Sequence, residues 1–260
     1  MQSGFLHYSF HGGLEIARGQ IRRLTHVNVT GVNGFVGNTS YEFVGPIAGW
    51  SPKPLELINL ISTSGLDTLA GVGAQVVLIE GIGGAGLPQS ESIDMAGAGS
   101  ASSVLTYSMV NRVTVTQAGA TGGQEGDIKA QGATTGANHC RVITDNKITG
   151  FIEGQGQSQQ AIWKVGTGQT GYITRWNVGF GAVGTGVFSG NVTFILWLYN
   201  PDTDIWLQQA TLGVGTSDQA STVFDPPLIV PAGFTAAITA RSTATNSSVV
   251  AGFSLILETI

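Results

Sequence analysis

The sequence predicts an all-β protein, built as two antiparallel β-sandwich or jelly-roll-like domains preceded by an extended N-terminal arm. Three observations carry this. Apolar and polar residues alternate over many short stretches, the period of strands with one face on a core. Glycine fills 39 of 260 positions, about twice the usual ~7% and without a Gly-X-Y period. It clusters between the alternating stretches, where turns belong. Beyond residue 160, strand-like stretches follow one another at the close spacing of a sandwich or jelly roll. Hydrophobic residues at 42% supply a core and exclude disorder.

Taken in order, residues 1–22 form the arm. The stretch 14–18 is long enough for one helical turn, bracketed by Gly12, Gly13 and Gly19. Such arms stay disordered or order on a neighbour. The first strand is expected over 24–30, closed by the turn markers Gly31, Asn33, Gly34 and Gly37. Pro52 and Pro54 make 48–54 a rigid extended connector. The stretch 55–62 is apolar enough for a strand covered on both faces. Residues 75–127 hold the most ordered pattern. Over 105–117, Leu105, Tyr107, Met109, Val113 and Val115 share one face with Asn111. Thr106, Ser108, Arg112, Thr114 and Thr116 share the other with Val110. Such a strand would run roughly 40 Å, beyond the usual ~5–6 residues, so a bulge or bend is expected inside it. Its polar face is a candidate subunit contact, and the glycine-rich loop 119–126 is a tip open to contacts.

Short strands are expected over 140–144 and 148–153, joined by an Asp145-Asn146 turn. The Gly/Gln-rich stretch 154–160 separates an N-terminal β-domain, 23–153, from a C-terminal β-sandwich, 161–260. Within the latter, strands are expected over 161–165, 171–179, 191–199, 204–212, 222–229, 234–241 and 249–258. The turn Asn200-Pro201-Asp202-Thr203 closes a hairpin. In the last strand Val249, Ala251, Phe253, Leu255 and Leu257 point inward. The stretch 191–199 is apolar on both faces. Its outer face, Trp197 included, needs a cover, either a loop of the same chain or a partner chain.

Charged residues make up 10% of the chain, against ~25% in ordinary soluble domains. Charge is depleted at the cores of protein interfaces, so this favours an assembling protein. Lys53, Lys129, Lys147 and Lys164 are the lysines, and no basic stripe supports nucleic-acid binding. The longest positive cluster, Arg18, Arg22 and Arg23, reads as a partner-facing patch. With Arg112 and Trp197 it makes the expected set of subunit contacts. Cys140 is the single cysteine, so no disulfide and no cysteine-based zinc site can form within one chain. The first residues lack the basic and apolar regions of a signal peptide, and no run approaches 18 apolar residues. The expectation is a soluble chain made inside the cell, with no membrane partner.

Candidate chemistry is sparse. His7 and His11 have the spacing of a helical zinc pair, but Gly12 and Gly13 oppose a helix and no acidic third ligand follows. His139 and Cys140 are neighbours on a strand and point to opposite faces. The glycine clusters 81–86, 119–126 and 179–186 lack the Lys-Ser/Thr of a phosphate loop. The acidic pairs Asp202/Asp204 and Glu125/Asp127 offer oxygens for calcium without an EF-hand loop. No cofactor and no enzymatic activity are expected. The tryptophans number five. They serve as core filling or, for Trp206 with Tyr199, as stacking surfaces for a glycan.

The pattern AQVVLIEGI, PQSESIDM, SSVLTYSMVNRVTVTQAG and GQEGDIKA, followed by KVGTGQTGYITRWNVGFG, resembles virion structural proteins of tailed bacteriophages. The resemblance covers residues 75–180 well and the C-terminal sandwich loosely. It implies a capsid decoration (cement) protein that stabilises the phage head by subunit contacts. Its partners would be the major capsid protein or other virion proteins and further copies of itself, a trimer suiting closed symmetry. Its place would be the virion, after assembly in the host cytoplasm. The alternative is a tail- or head-fibre-associated adhesin that binds a receptor or carbohydrate. A third reading, a carbohydrate-active enzyme, requires convergent carboxylates in a groove.

Overall fold

A computed structural model describes residues 15–16, 19–45, 50–142, 156–180, 190–215, 218–244 and 247–260. The chain is all-β. Its strands are β1 (Leu24–Val36), β2 (Glu42–Phe43), β3 (Glu56–Ser62), β4 (Ala74–Ile82), β5 (Pro88–Asp94), β6 (Ser100–Tyr107), β7 (Met109–Ala118), β8 (Ile128–Gly132) and β9 (Asn138–Val142). They continue with β10 (Ile162–Lys164), β11 (Gln169–Phe180), β12 (Val192–Asn200), β13 (Ile205–Val214), β14 (Gln219–Val230), β15 (Thr235–Ser242) and β16 (Ser247–Thr259).

The larger sandwich faces a back sheet, ordered β1-β16-β11-β14, with a front sheet, ordered β10-β15-β12-β13, to which β2 adds beside β15. Set β2 to β9 aside and number these strands along the chain. The back sheet then reads first, eighth, third, sixth, and the front sheet second, seventh, fourth, fifth. That is the order of an eight-stranded jelly roll of two Greek keys. The inward residues expected in the last strand, Val249 to Leu257, are all buried. Trp176, Phe194, Phe253, Ile173 and Leu196 fill the space between the sheets.

The smaller sandwich, β3 to β9, is inserted between the first and second strands of the jelly roll. It packs a β3 sheet, ordered β6-β3-β8-β9, on a β4 sheet, ordered β5-β4-β7. Ile58, Leu60, Val77, Ile79, Tyr107 and Val113 form its core. The expected long strand over 105–117 does bend. It breaks at Ser108, where the chain leaves the β3 sheet as β6 and enters the β4 sheet as β7. Switching sheets at a bend is how sandwiches make corners. Past the corner both faces are covered, so Met109, Val110 and Asn111 are all buried, and the simple alternation fails there.

One placement differs from expectation. The strand expected to open an N-terminal domain over 23–153 lies in the jelly roll instead. β1 pairs with β16 from Leu24↔Glu258 to Val36↔Ser247. Its inward Val27 and Val29 belong to the jelly-roll core, so the sandwich draws on both sides of the insertion. Close packing explains the glycine after the expected strand end. A side chain at Gly31 would lie 2.0 Å from the Val44 carbonyl and 2.3 Å from the Ala161 amide. The strand therefore runs on through Gly31 rather than turning.

The stretch expected as a linker, 154–160, is pinned over its described part. The Val115 amide donates to the Gly156 carbonyl and the Ser158 amide to the Val113 carbonyl. The second short strand, 148–153, lies outside the described residues, as does most of the arm. At the arm's end, Gln20 and Gly19 close a helical turn onto Glu15 and Ile16, and Ile16 is buried.

Candidate interaction surface

The insertion docks on the outer face of the front sheet, and side-chain amides make the joint. Asn111 Nδ2 donates to the Lys164 carbonyl (3.0 Å), while its Oδ1 accepts from the Lys164 amide (2.9 Å). The side chain thus behaves as a strand residue and pairs β7 with β10. Gln160 Nε2 donates to the Val110 carbonyl at 3.1 Å. Arg112 lies across the same joint. Its Nη2 donates to the Asn28 carbonyl at 2.9 Å, its guanidinium sits 5.2 Å from the Trp163 ring centre, and Glu80 is 3.8 Å away. Arg112, expected at a subunit contact, is thus engaged within its own chain.

Beside this joint lies an aromatic cluster. Trp206 on β13 faces Tyr199 on β12, with ring centres 5.0 Å apart. Trp50 stands 5.5 Å from each, and Phe43 is 5.6 Å from Trp206. Trp50 donates its indole N–H to the Met109 sulfur at 3.2 Å. Met109, Ile82, Ile162 and Ala237 close the cluster from beneath. The Tyr199 hydroxyl donates to Asp204 at 2.8 Å. Burial and this carboxylate push the Tyr199 phenol upward. The two residues expected as glycan contacts do meet, but their rings pack on neighbours and glue the insertion to the front sheet. Trp206→Ala is expected to lower unfolding stability by about 2–3 kcal/mol, read by urea denaturation.

The outer face of β12 is covered at its Tyr199 end by this cluster, so the chain itself supplies the cover. Trp197 is half-buried and donates its indole N–H to the Thr239 hydroxyl at 2.8 Å. Arg22 and Arg23 are exposed in the turn before β1, where the Arg23 carbonyl accepts from the Thr259 amide. Arg18 lies outside the described residues, as do His7 and His11.

The far end of the insertion is a rigid tip. Its centre is Asp67, which is fully buried. One carboxylate oxygen accepts from the Ala74 (2.7 Å) and Glu125 (2.8 Å) amides. The other accepts from the Ser62 hydroxyl (2.5 Å) and the Gly126 amide (2.9 Å). Gly97 donates to the Asp67 carbonyl at 2.7 Å, which brings in the β5–β6 turn. Gly73 is needed here, since a side chain on it would meet the Asp67 carboxylate at 2.2 Å. On this frame Leu66, Leu69 and Val72 stand exposed. The glycine loop expected to be open to contacts is tied to this frame, Thr121 donating twice to the Val72 carbonyl. Sequence reasoning named that loop but missed Asp67. A lone acid in a loop gives no signal until three segments converge on it.

A second buried acid lies at the other end of β3. Glu56 accepts from the Thr135 hydroxyl (2.6 Å) and from the Thr134 and Thr135 amides. Burial opposes its charge, but these bonds hold its carboxyl below the usual range. His139 Nε2 is 3.6 Å away, too far for a hydrogen bond, and neither ring nitrogen has a hydrogen-bond partner among the described residues. Burial lowers the His139 pKa from its ordinary 6.5; Glu56 opposes this and Lys53 adds to it. A depressed histidine contributes stability that is full above ~6.5 and lost as pH falls through the folded value. Urea stability is therefore expected to drop between pH 7 and 5, and His139→Leu to flatten that slope. Cys140, buried beside it with its thiol pushed up to about 12, reports the same opening by labelling with a disulfide reagent.

Among the described residues, no group of three His, Cys, Asp or Glu side chains is placed to hold a metal ion. Of the acidic pairs weighed for calcium, Asp127 pairs with Arg141 and Asp204 accepts from Tyr199.

No family model and no curated protein matches the sequence. A chain in the structure of infectious bursal disease virus, Gt strain, is 11% identical, with 91% of this chain and 72% of that chain covered at a TM-score of 0.24. A chain in T=1 particles derived from infectious bursal virus is 11% identical, with 92% and 74% covered at a TM-score of 0.19. Overlaps at those scores carry no argument about this chain.

Proposed function

We propose that the chain is a structural component of a virion, a decoration protein that works by burying surface on neighbouring subunits and not by catalysis. The observation that carries the proposal is the jelly roll with a rigid sandwich inserted between its first two strands. Jelly rolls serve in virus shells and in lectins, and fold alone does not choose between them. The sites favour the shell. The space between the sheets is packed solid with Trp176, Phe194 and Phe253. The aromatic rings suited to a sugar are packed in the joint. What stands out to solvent is apolar: Leu66, Leu69 and Val72 on a tip fixed by Asp67. The resemblance of residues 75–180 to tailed-phage virion proteins points the same way. The partners would be a shell protein and further copies of this chain, met on the virion after assembly in the host cytoplasm.

The test is composition and strength of the particle. Purified particles are expected to hold the chain at a fixed copy number by quantitative mass spectrometry. Particles made without it are expected to release their genome at lower temperature. Absence of the chain from washed particles would overturn the proposal.

A further inference from the structure

A free strand edge is a template for another strand, and natural sheets guard their edges with charge, proline or a covering segment. Among the described residues, seven of the eight strands that end the strand orders of the four sheets are guarded. β1 is capped by Arg112 and by the Gln159 carbonyl. β14 carries Asp225, Pro226 and Pro227 mid-strand. The short β10 is paired by the Asn111 side chain. On β6 the Val104 and Leu105 amides donate to Glu91. β5 bears Pro88, Glu91 and Asp94. β7 is covered by residues 156–158. The short β9 carries Arg141.

β13 has no such guard among the described residues. Its 10 residues, IWLQQATLGV, include no charge and no proline. Ile205 and Leu207 stand exposed on it. Its single interruption is a bulge at Gln209, whose Nε2 turns back to the Leu207 carbonyl at 3.1 Å. Beyond it Ala210 to Val214 run in regular register with β12.

We propose that β13 is the edge through which two copies of this chain join, antiparallel about a two-fold axis, so that two front sheets become one. The proposal deepens the assembly reading above and rests on it. An unpaired ladder is matched only by another ladder. A strand without charge offers nothing by which a charged partner is selected, while an isologous pairing sets the same uncharged residues opposite each other. Pairing about Leu212 puts Thr211 opposite Gly213 of the second copy and Ala210 opposite Val214.

That register gives the test. Thr211 is exposed, and a side chain at Gly213 meets nothing within 4 Å, so both positions accept change in the single chain. Sedimentation equilibrium of the full chain is expected to show a dimer. Thr211→Lys with Gly213→Lys sets lysines opposite lysines, and self-association is expected to weaken by about tenfold or more. Thr211→Glu with Gly213→Glu is expected to do the same, and mixing the two variants to restore the dimer. Gly213→Lys alone serves if a double variant unfolds. A monomeric wild type overturns the pairing. So does a dimer that ignores these charges, or a mixture that fails to recover. A chain found in particles but not joined through β13 sinks this pairing and leaves the virion reading standing; a β13 dimer absent from particles does the reverse.

Discussion

Asp67→Ala is expected to cost about 3–5 kcal/mol of unfolding free energy, a large share of a domain's stability. The carboxylate accepts four hydrogen bonds in a fully buried site. Alanine leaves three amides and a hydroxyl without an acceptor, where no water reaches them. Asp67→Asn is expected to be nearly as harmful. Each carboxylate oxygen takes two donors, so either orientation of the amide turns an NH2 group against two of them. Hydrogen exchange locates the damage. The Ala74, Glu125 and Gly126 amides are expected to lose protection before the jelly-roll amides do. Loss of protection spread evenly over both sandwiches would refute the local role of Asp67. Because this frame presents Leu66, Leu69 and Val72, any partner held by the tip is expected to dissociate from the variant at temperatures where it is still folded.

Asn111→Ala is expected to cost about 2–3 kcal/mol, measured by urea denaturation. It removes both bonds to Lys164 and leaves that residue's amide and carbonyl unpaired at the joint. Asn111→Asp is the sharper test. It keeps an acceptor for the Lys164 amide but turns a carboxylate oxygen toward the Lys164 carbonyl. At neutral pH the loss is expected to exceed that of alanine, since a buried charge then faces a carbonyl. Burial raises a carboxyl's pKa. The variant is therefore expected to recover stability as pH falls and the acid becomes neutral. That slope is opposite in sign to the one expected from His139. An Asn111→Asp variant with wild-type stability at pH 7 would show that these bonds do not hold the joint.

Much of the jelly roll was legible because its signal is local. The stretches 171–179, 234–241 and 249–258 alternate, 191–199 is apolar throughout, and each holds a strand. The Asn200-Pro201-Asp202-Thr203 turn joins β12 to β13 as its residue types imply. Partner choice was not legible. Nothing in the residues of β1 says that they pair with β16, because antiparallel partners need only matching faces and a free edge. The same gap hid the joint. Arg112 sits on the polar face of a strand and reads as a contact residue, which it is, but the contact is Asn28 of its own chain. Trp206 and Tyr199 read as open to a glycan for a related reason. The hairpin register puts them face to face, while Trp50 and Phe43, which cover them, come from far upstream. Asp67 gave no pattern at all.

The pairing of β1 with β16 also sets a schedule. Asn28 and Ser254 touch across these strands but lie 226 residues apart in sequence. At ~5–20 residues per second, β1 waits on the ribosome for roughly 10–45 seconds before its neighbour exists. The insertion needs no such wait, since its two sheets are built from β3 to β9 alone. The smaller sandwich is therefore complete while Val27 and Val29 are still uncovered. During that interval an emerging chain offers β1 to any β16 within reach. Crowded synthesis on one message would then give this strand a route to exchange between nascent neighbours.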